Sequence, residues 1–297
     1  KFGNSPAYRE KEYGIWQTWT WSEANNEIMG LAKGLIKLGV KEGDHVAVIG
    51  RNRPYLYWSL IAAQHIGAVP VPLYQDAVAD EMEYILTHCS AKFAIVGDQE
   101  QVDKIHEIQG KLTGFKDIIY VDPKGLRKYD KSKLHSFSDV SENGKKDSGD
   151  LQAELDKRVS KITGDTTSVL LYTSGTTGRS KGVVQTHKAI IGASSGANEF
   201  DRWSPDDNIV CYLPMAWVGD FMISVGQVMV AGACLNCPEG PDTVQMDVKE
   251  MGPSVFFGPP PLWERLKTDV NIRIEDASRF KKGAFRYFMN HAEKVGK

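Results

Sequence analysis

Cysteine is scarce in this chain and charge of either sign is nearly balanced, and each shortage excludes a class of protein. Four cysteines among 297 residues are too few for a disulfide framework, which favours a reducing, cytoplasmic setting. No charged, apolar and small-residue leader opens the sequence, which agrees with that setting. The formal net charge of -2 gives no general attraction to nucleic acid or anionic lipid, so any anion site must be local.

Long apolar runs are also missing. The two most apolar stretches are residues 55–74 and 221–235. The first contains polar residues and ends in prolines, and the second is too short to cross a bilayer and holds Ser224 and Gln227. Both stretches predict buried helices that run into strands.

What is present is an alternation of helical and extended patterns. Thr20 and Glu23 predict a capping box, and apolar residues at helical spacing follow until Gly39. Strands are then predicted at 45–49, 68–73, 93–96 and 118–121, with helices between them that include 80–88 and 99–109. This alternation predicts an α/β fold with a mainly parallel sheet.

The pattern divides the chain in two. Polar residues dominate 122–160, which we interpret as a surface excursion that ends in a short helix and closes a first α/β subdomain, residues 1–160. The alternation then resumes, with predicted strands at 168–172, 209–213, 233–236 and 255–257. We therefore predict a second α/β subdomain over 161–297, so that two βαβ-type subdomains make up the chain.

The segment "LLYTSGTTGRSKGVVQTH", Leu170–His187, combines hydroxyls, glycines and two cations between apolar runs. Glycines let backbone amides converge on an anion, hydroxyls donate to its oxygens, and Arg179 and Lys181 supply positive charge. It is not a Walker A loop, because Ser180 precedes the lysine and Gly182 follows it. "KGVVQT" predicts a second strand, so the loop is expected at a hairpin tip. A polar surface turn without a ligand is the alternative.

Within that segment, "YTSGTTGRSKGV" resembles the phosphate loop of the adenylate-forming (AMP-binding) enzymes, and within them the long-chain acyl-CoA synthetase branch. Ser180 stands where a proline is common. Three further segments resemble the amino-terminal helices and strands, the substrate-pocket segment and the acyl tunnel of that family: "LIKLGVKEGDHVAVIGRNRPYLYWSLIAAQHIGAVPVPLY", "LPMAWVGDFM" and "FFGPPPLWERL". The resemblance thus covers nearly the whole chain, as part of the family's large amino-terminal domain.

The resemblance implies a two-step ligase for a long-chain fatty acid. ATP and the carboxylate form an acyl-adenylate and pyrophosphate, and the thiol of coenzyme A then displaces AMP. ATP and Mg²⁺ are implied, and nucleic acid is not a partner. The implied phosphate-binding residues are Thr173, Ser174, Gly175, Thr176, Thr177, Gly178 and Lys181, with Thr176 on the metal. The implied acyl-binding residues are Trp217, Phe221 and Gly258.

Two departures from the family pattern matter. Trp217 follows Pro214 where many relatives carry a histidine, which implies a different orientation of the acyl carboxylate. Segments for adenine and ribose, and a carboxy-terminal domain with the catalytic lysine, are not found, so we expect an amino-terminal fragment that is inactive alone. A synthetase for aromatic or short acids, or a non-catalytic nucleotide-binding module, remains an alternative.

Three lesser signals complete the sequence. Cys234 and Cys237 form a C-x-x-C without a second pair or a histidine cluster, which favours buried strand cysteines over a metal or redox site. His187 follows the phosphate segment, and a phosphate or carboxylate contact is as consistent with its position as a structural role. Mixed aromatic and small residues around Trp217 and Gly258 fit ordinary core packing as well as an acyl slot.

The last residues predict an amphipathic helix. Apolar residues recur at helical spacing over 277–295, and basic residues lie on the other faces. We expect Phe280 and Phe288 to dock onto protein, with peripheral membrane contact as the secondary interpretation. Oligomeric state leaves no mark on the sequence.

Overall fold

The computed structural model describes residues 2–146, 149–173 and 179–296, and they form two compact units, Lys1–Val255 and Phe256–Lys297. The strands are β1 (Pro6–Glu12), β2 (Ile15–Thr20), β3 (His45–Ile49), β4 (Val69–Leu73), β5 (Phe93–Val96), β6 (Asp117–Tyr120), β7 (Leu134–Ser136), β8 (Thr167–Thr173), β9 (Lys181–Thr186), β10 (Asn208–Val210) and β11 (Cys234–Cys237).

The helices are α1 (Trp21–Lys37), α2 (Pro54–His65), α3 (Ala79–His88), α4 (Gln99–Ile108), α5 (Phe137–Lys145), α6 (Asp150–Val159), α7 (His187–Asp201), α8 (Val218–Asp220), α9 (Val228–Ala231), α10 (Val244–Met251), α11 (Pro260–Glu275) and α12 (Arg279–Val295). A π-helical segment, Phe221–Gln227, joins α8 to α9. The predicted capping box is confirmed, because the Thr20 hydroxyl accepts from the Glu23 amide and the Glu23 carboxylate accepts from the Thr20 amide.

The central element is a five-stranded parallel sheet with strand order β4-β3-β5-β6-β7. This confirms the predicted α/β class and the predicted parallel sheet. The chain leaves β3 towards β4 on one side and later returns to β5 on the other, so the direction of winding reverses next to β3. In doubly wound sheets, the crevice at the carboxyl ends of the strands beside such a reversal is the usual place for a ligand.

The parallel sheet is buried on both faces by two apolar clusters. Along β3, Val46 and Val48 belong to one cluster, and Ala47 and Ile49 belong to the other. Successive side chains of a strand point to opposite faces, so this alternation is the expected result of covering both faces. One consequence is that β3, β4, β5 and β6 read as largely apolar runs, which is why the sequence predicted them. Strand β7 was not predicted, because it has only three residues and lies in a polar stretch.

A second, mixed sheet has the order β10-β11-β1-β2. Strands β1 and β2 were not predicted from the sequence, and β1 pairs in parallel with β11, with Tyr8 opposite Leu235. The burial of β1 does not alternate strictly, so it carries no clear period of two. The prediction of a strand at 255–257 is wrong. Within that range, only Val255 pairs with another residue, as an isolated bridge to Ile209, and Gly252 and Pro253 lie just before it.

Residues 122–160 supply more structure than their polar composition indicates. They contain β7, α5 and α6, and α5 packs closely along α1. A Cβ atom on Gly34 would lie 2.1 Å from the carbonyl oxygen of Val140, and one on Gly144 would lie 1.9 Å from that of Gly30. Glycine at these positions permits the close approach of the two helices. The subdomain boundary near residue 160 stays a prediction.

No helix in the described ranges combines the length and the apolar composition that crossing a bilayer requires.

Candidate functional site

The phosphate segment forms the predicted hairpin. Strands β8 and β9 are antiparallel, and their last pair before the tip is Thr173 with Lys181. Both of these residues are exposed, so a hydroxyl and an ammonium group lie side by side at the tip. The other predicted phosphate-binding residues, Ser174, Gly175, Thr176, Thr177 and Gly178, lie outside the described residues, and so does the predicted metal ligand Thr176.

The stem of the hairpin is anchored in both apolar clusters. Val169 and Leu171 belong to one cluster, whereas Leu170 and Tyr172 belong to the other. Strand β8 also lies along β4 of the parallel sheet. The tip therefore projects from a stem in which β8 is buried on both faces and most of β9 is exposed. Strand β8 holds Thr173, and through their pairing Lys181, relative to the sheet.

A cavity of ≈ 180 Å³ opens at the carboxyl ends of β3 and β4. Its lining includes Gly50, Asn52, Tyr74, Tyr212, Met215 and Pro238. It thus lies at the edge of the sheet where the strand order predicts a ligand. The Asn52 amide donates a 2.7 Å hydrogen bond to the Leu213 carbonyl oxygen, which ties the loop after β3 to residues 211–220, here called the substrate segment.

The predicted acyl-binding residues occupy three different environments. Trp217 is half-buried, and its ring lies over Gly219, where a Cβ atom would come within 2.2 Å of it. Phe221 is fully buried in the core. Gly258 belongs to the unit Phe256–Lys297, where its carbonyl oxygen accepts a 2.9 Å hydrogen bond from the Trp263 indole. Their role in acyl binding stays a prediction.

The substrate segment ends in a buried acid that the sequence did not single out. The Asp220 carboxyl accepts hydrogen bonds from the Tyr57 hydroxyl at 2.8 Å and from the Ser224 hydroxyl at 2.9 Å. Burial raises the pKa of Asp220 to about 7, and the two hydroxyl donors oppose that rise. The π-helical segment begins at the next residue, and such wide turns are frequent at functional sites.

His187 is the first residue of helix α7. Its Nε2 atom is buried and has no hydrogen-bond partner in the described part of the chain. Burial lowers the pKa of His187, and the nearby His65 lowers it further. Both effects favour the neutral ring, and the choice between a ligand contact and a structural role stays open.

The predicted burial of the C-x-x-C cysteines is confirmed. Cys234 and Cys237 lie in strand β11 and are 3 % and 0 % exposed. Cys211 lies beside them, with its sulfur 3.3 Å from that of Cys237. Burial raises the pKa of Cys234 to about 11, as expected for structural thiols. Among the described residues, no group of three or more His, Cys, Asp or Glu side chains could hold a metal ion.

Residues that sequence reasoning missed come from α2 and α3. Tyr57 binds Asp220. Tyr84 contacts the hairpin just before β9, and His88 contacts it in β8. Tyr84 and His88 are four residues apart on one helix, a spacing that places them on one face. That spacing was the only signal in the sequence, and it did not reveal which element the face meets.

Three features together are typical of a nucleotide-binding α/β protein. They are the parallel sheet, the crevice at the carboxyl ends of its strands, and the hairpin whose tip carries hydroxyl and lysine side chains. More specifically, the chain belongs to the AMP-binding enzyme family, which it matches over residues 1–297. The resemblance inferred from the phosphate segment is thereby confirmed.

Known proteins of this family share modest identity with the chain. It is 27% identical over 300 residues to the human long-chain-fatty-acid–CoA ligase ACSBG2, covering 99% of this chain and 44% of the relative. It is 29% identical to fatty acyl-CoA synthetase A of Dictyostelium discoideum, covering 90% of this chain and 39% of the relative. The chain therefore spans less than half the length of these relatives.

Solved structures support the same fold. The ATP-bound structure of MatB from Rhodopseudomonas palustris superimposes with a TM-score of 0.71 at 20% identity, covering 89% of this chain and 48% of that one. At this identity the likeness establishes the fold alone.

Proposed function

We propose that the protein is an AMP-forming acid-thiol ligase that activates a long-chain fatty acid. The carboxylate attacks the α-phosphorus of ATP, and pyrophosphate leaves with the β- and γ-phosphorus atoms. The sulfur of coenzyme A then forms a thioester with the acyl carbon, while AMP leaves and the thiol proton is released. The observation that carries this proposal is the hairpin tip, where Thr173 and Lys181 lie side by side.

The hairpin suits the departing phosphates. In adenylation, the protein mainly positions the reacting groups and neutralises charge on the phosphate oxygens. The Lys181 ammonium and the Thr173 hydroxyl can both donate to those oxygens, because both side chains are exposed at the same end of the hairpin. We assign Ser174, Gly175, Thr176, Thr177 and Gly178 to the same task. Mg²⁺ held by Thr176 would neutralise further charge on the phosphates.

The substrate segment is the proposed place for the acid. It is pinned at Leu213 by Asn52 and at Asp220 by Tyr57, so its backbone is held at both ends. Between these points lies Trp217, which we assign to the acyl chain. Gly258, in the unit Phe256–Lys297, is a separate proposed acyl-binding residue. Phe221 is buried beneath the segment, and we assign it the task of shaping the acyl site from below. Coenzyme A is the proposed thiol substrate, and the cytoplasm is the proposed site of action.

Pyrophosphate release tests the proposal. The protein expressed from its complete reading frame is assayed with ATP and Mg²⁺ against fatty acids of increasing chain length, benzoate and acetate. We expect release to depend on the acid and to be fastest with a long chain. Faster release with benzoate or acetate would identify the protein as a synthetase for aromatic or short acids. Binding of ATP without release by any acid would identify a non-catalytic nucleotide-binding module.

A further inference from the structure

Helix α3 contacts the phosphate hairpin on both sides of its tip. The Tyr84 hydroxyl donates a 3.0 Å hydrogen bond to the carbonyl oxygen of Ser180, just before β9. One turn further along the helix, His88 Nδ1 shares a 2.6 Å hydrogen bond with the hydroxyl of Tyr172, at the end of β8. A single helix face therefore holds the chain where it enters the tip and where it leaves the tip.

The two contacts lie next to the two exposed phosphate-binding candidates. Tyr172 directly precedes Thr173, and Ser180 directly precedes Lys181. Because side chains alternate along a strand, Thr173 points away from the face on which Tyr172 packs, and Lys181 shares the face of its cross-strand partner Thr173. Helix α3 thus contacts the face of the hairpin that carries Tyr172, whereas Thr173 and Lys181 are exposed on the other face at the tip.

Two further features lie on this face of the hairpin. The Arg179 guanidinium lies 5.1 Å from the centre of the Tyr84 ring, a cation–π distance. A Cβ atom on Gly182 would lie 3.1 Å from a methyl of Leu170 and 3.3 Å from the Tyr172 ring, so glycine leaves room for that ring across the hairpin. Tyr84, His88 and Tyr172 also pack ring against ring, with centroids 5.7 Å apart in each successive pair.

We propose that Tyr84 and His88 are positioning residues for ATP. They hold the chain on the two sides of the hairpin tip, so that Thr173 and Lys181 can both contact the phosphates. This inference rests on the proposed function. It assigns Tyr84 and His88 no contact with the substrate. Their loss is expected to weaken ATP binding through the hairpin, while the acid site on the substrate segment keeps its own anchors, Asn52 and Tyr57.

The test compares Tyr84→Phe, His88→Ala and His88→Gln with the wild type, in the protein from the complete reading frame. Tyr129→Phe is the matched control, because its hydroxyl is likewise hydrogen-bonded, donating to Asp103 and accepting from Gln99, away from the hairpin. We expect Tyr84→Phe and His88→Ala to raise the KM for ATP roughly 3- to 10-fold, the effect of losing about one hydrogen bond. His88→Gln, which can keep that bond, should recover part of the loss.

The KM for the acid should stay within about 2-fold of the wild type. A general loss of rigidity would instead raise the KM for both substrates. Melting temperatures should fall no further than in Tyr129→Phe. An unchanged KM for ATP, or equal increases in KM for ATP and acid, would overturn the positioning role. A wild type that releases no pyrophosphate would instead overturn the proposed function itself, so the two failures are distinguishable.

Discussion

The Tyr57 hydroxyl donates a 2.8 Å hydrogen bond to the Asp220 carboxyl in a place where both side chains are buried, 0 % and 2 % exposed. The bond joins α2 to the end of the substrate segment. The second oxygen accepts from Ser224, and the pKa of Asp220 rises to about 7 because burial disfavours the charged carboxylate. This acid therefore titrates near neutral pH.

Asp220→Asn should flatten the dependence of stability on pH. The folded pKa of Asp220 lies above its unfolded value of 3.8, so its contribution is fully present below about pH 4 and is lost as pH rises through about 7. The loss is on the order of 4 kcal/mol between the two plateaus. Urea unfolding midpoints at pH 5, 6, 7 and 8 measure it.

The expected result is that the variant gains stability relative to the wild type at each step towards pH 8. Asp165→Asn, at an exposed position, is the control and should keep a constant difference from the wild type. A constant difference for Asp220→Asn as well would mean that the buried carboxyl does not titrate in this range.

Lys181→Ala should weaken ATP and pyrophosphate binding roughly 10-fold without lowering the melting temperature. The side chain is exposed at the hairpin tip, so it supplies charge to the ligand and little to the core. Titration calorimetry with each ligand measures the affinity. Lys41→Ala removes another exposed lysine and should leave both affinities intact. Unchanged affinity in the Lys181 variant would show that the hairpin is not the phosphate site.

Gly258→Leu should reduce activity with the longest acids first, if this residue lines the acyl tunnel. The rate of pyrophosphate release against chain length measures the effect. Gly283→Leu is the matched control, because a Cβ atom there would meet open space within the same unit. Equal losses with all acids, together with a lower melting temperature, would support ordinary packing around Gly258 instead.

The predicted carboxy-terminal helix is confirmed as α12. Two of its aromatic side chains are exposed to solvent, Phe280 by 85% and Phe288 by 66%. We expect this stripe to dock onto protein and the protein to stay in solution beside anionic vesicles. Cosedimentation with phosphatidylserine vesicles at low and high salt measures this. Salt-sensitive binding that is abolished by Lys281→Glu with Lys282→Glu, at unchanged thermal stability, would establish membrane contact instead.

Much of the fold could be predicted because its signals are local. The capping box at Thr20 involves residues three apart, and the hairpin joins β8 to the very next strand. The hydroxyl, glycine and lysine residues of the predicted phosphate loop also lie in one continuous segment, and that segment was enough to indicate the family. Strands β1 and β2 form an equally local hairpin, but neither could be predicted, because the burial of both strands lacks a clear period of two. The second partner of β1, β11, lies far along the chain.

By itself, then, the sequence predicted the hairpin and four of the five strands of the parallel sheet, since apolar periodicity and turn residues act over a few positions. The phosphate ligand of the hairpin tip stays a prediction. Only the tertiary structure decided that Tyr84 and His88 support the hairpin across 96 and 84 positions, and that Tyr57 meets Asp220 across 163. Such pairs depend on how the helices pack on the sheet. Periodicity shows which face of a helix is buried, but the partner on that face is selected by the packing of the whole core.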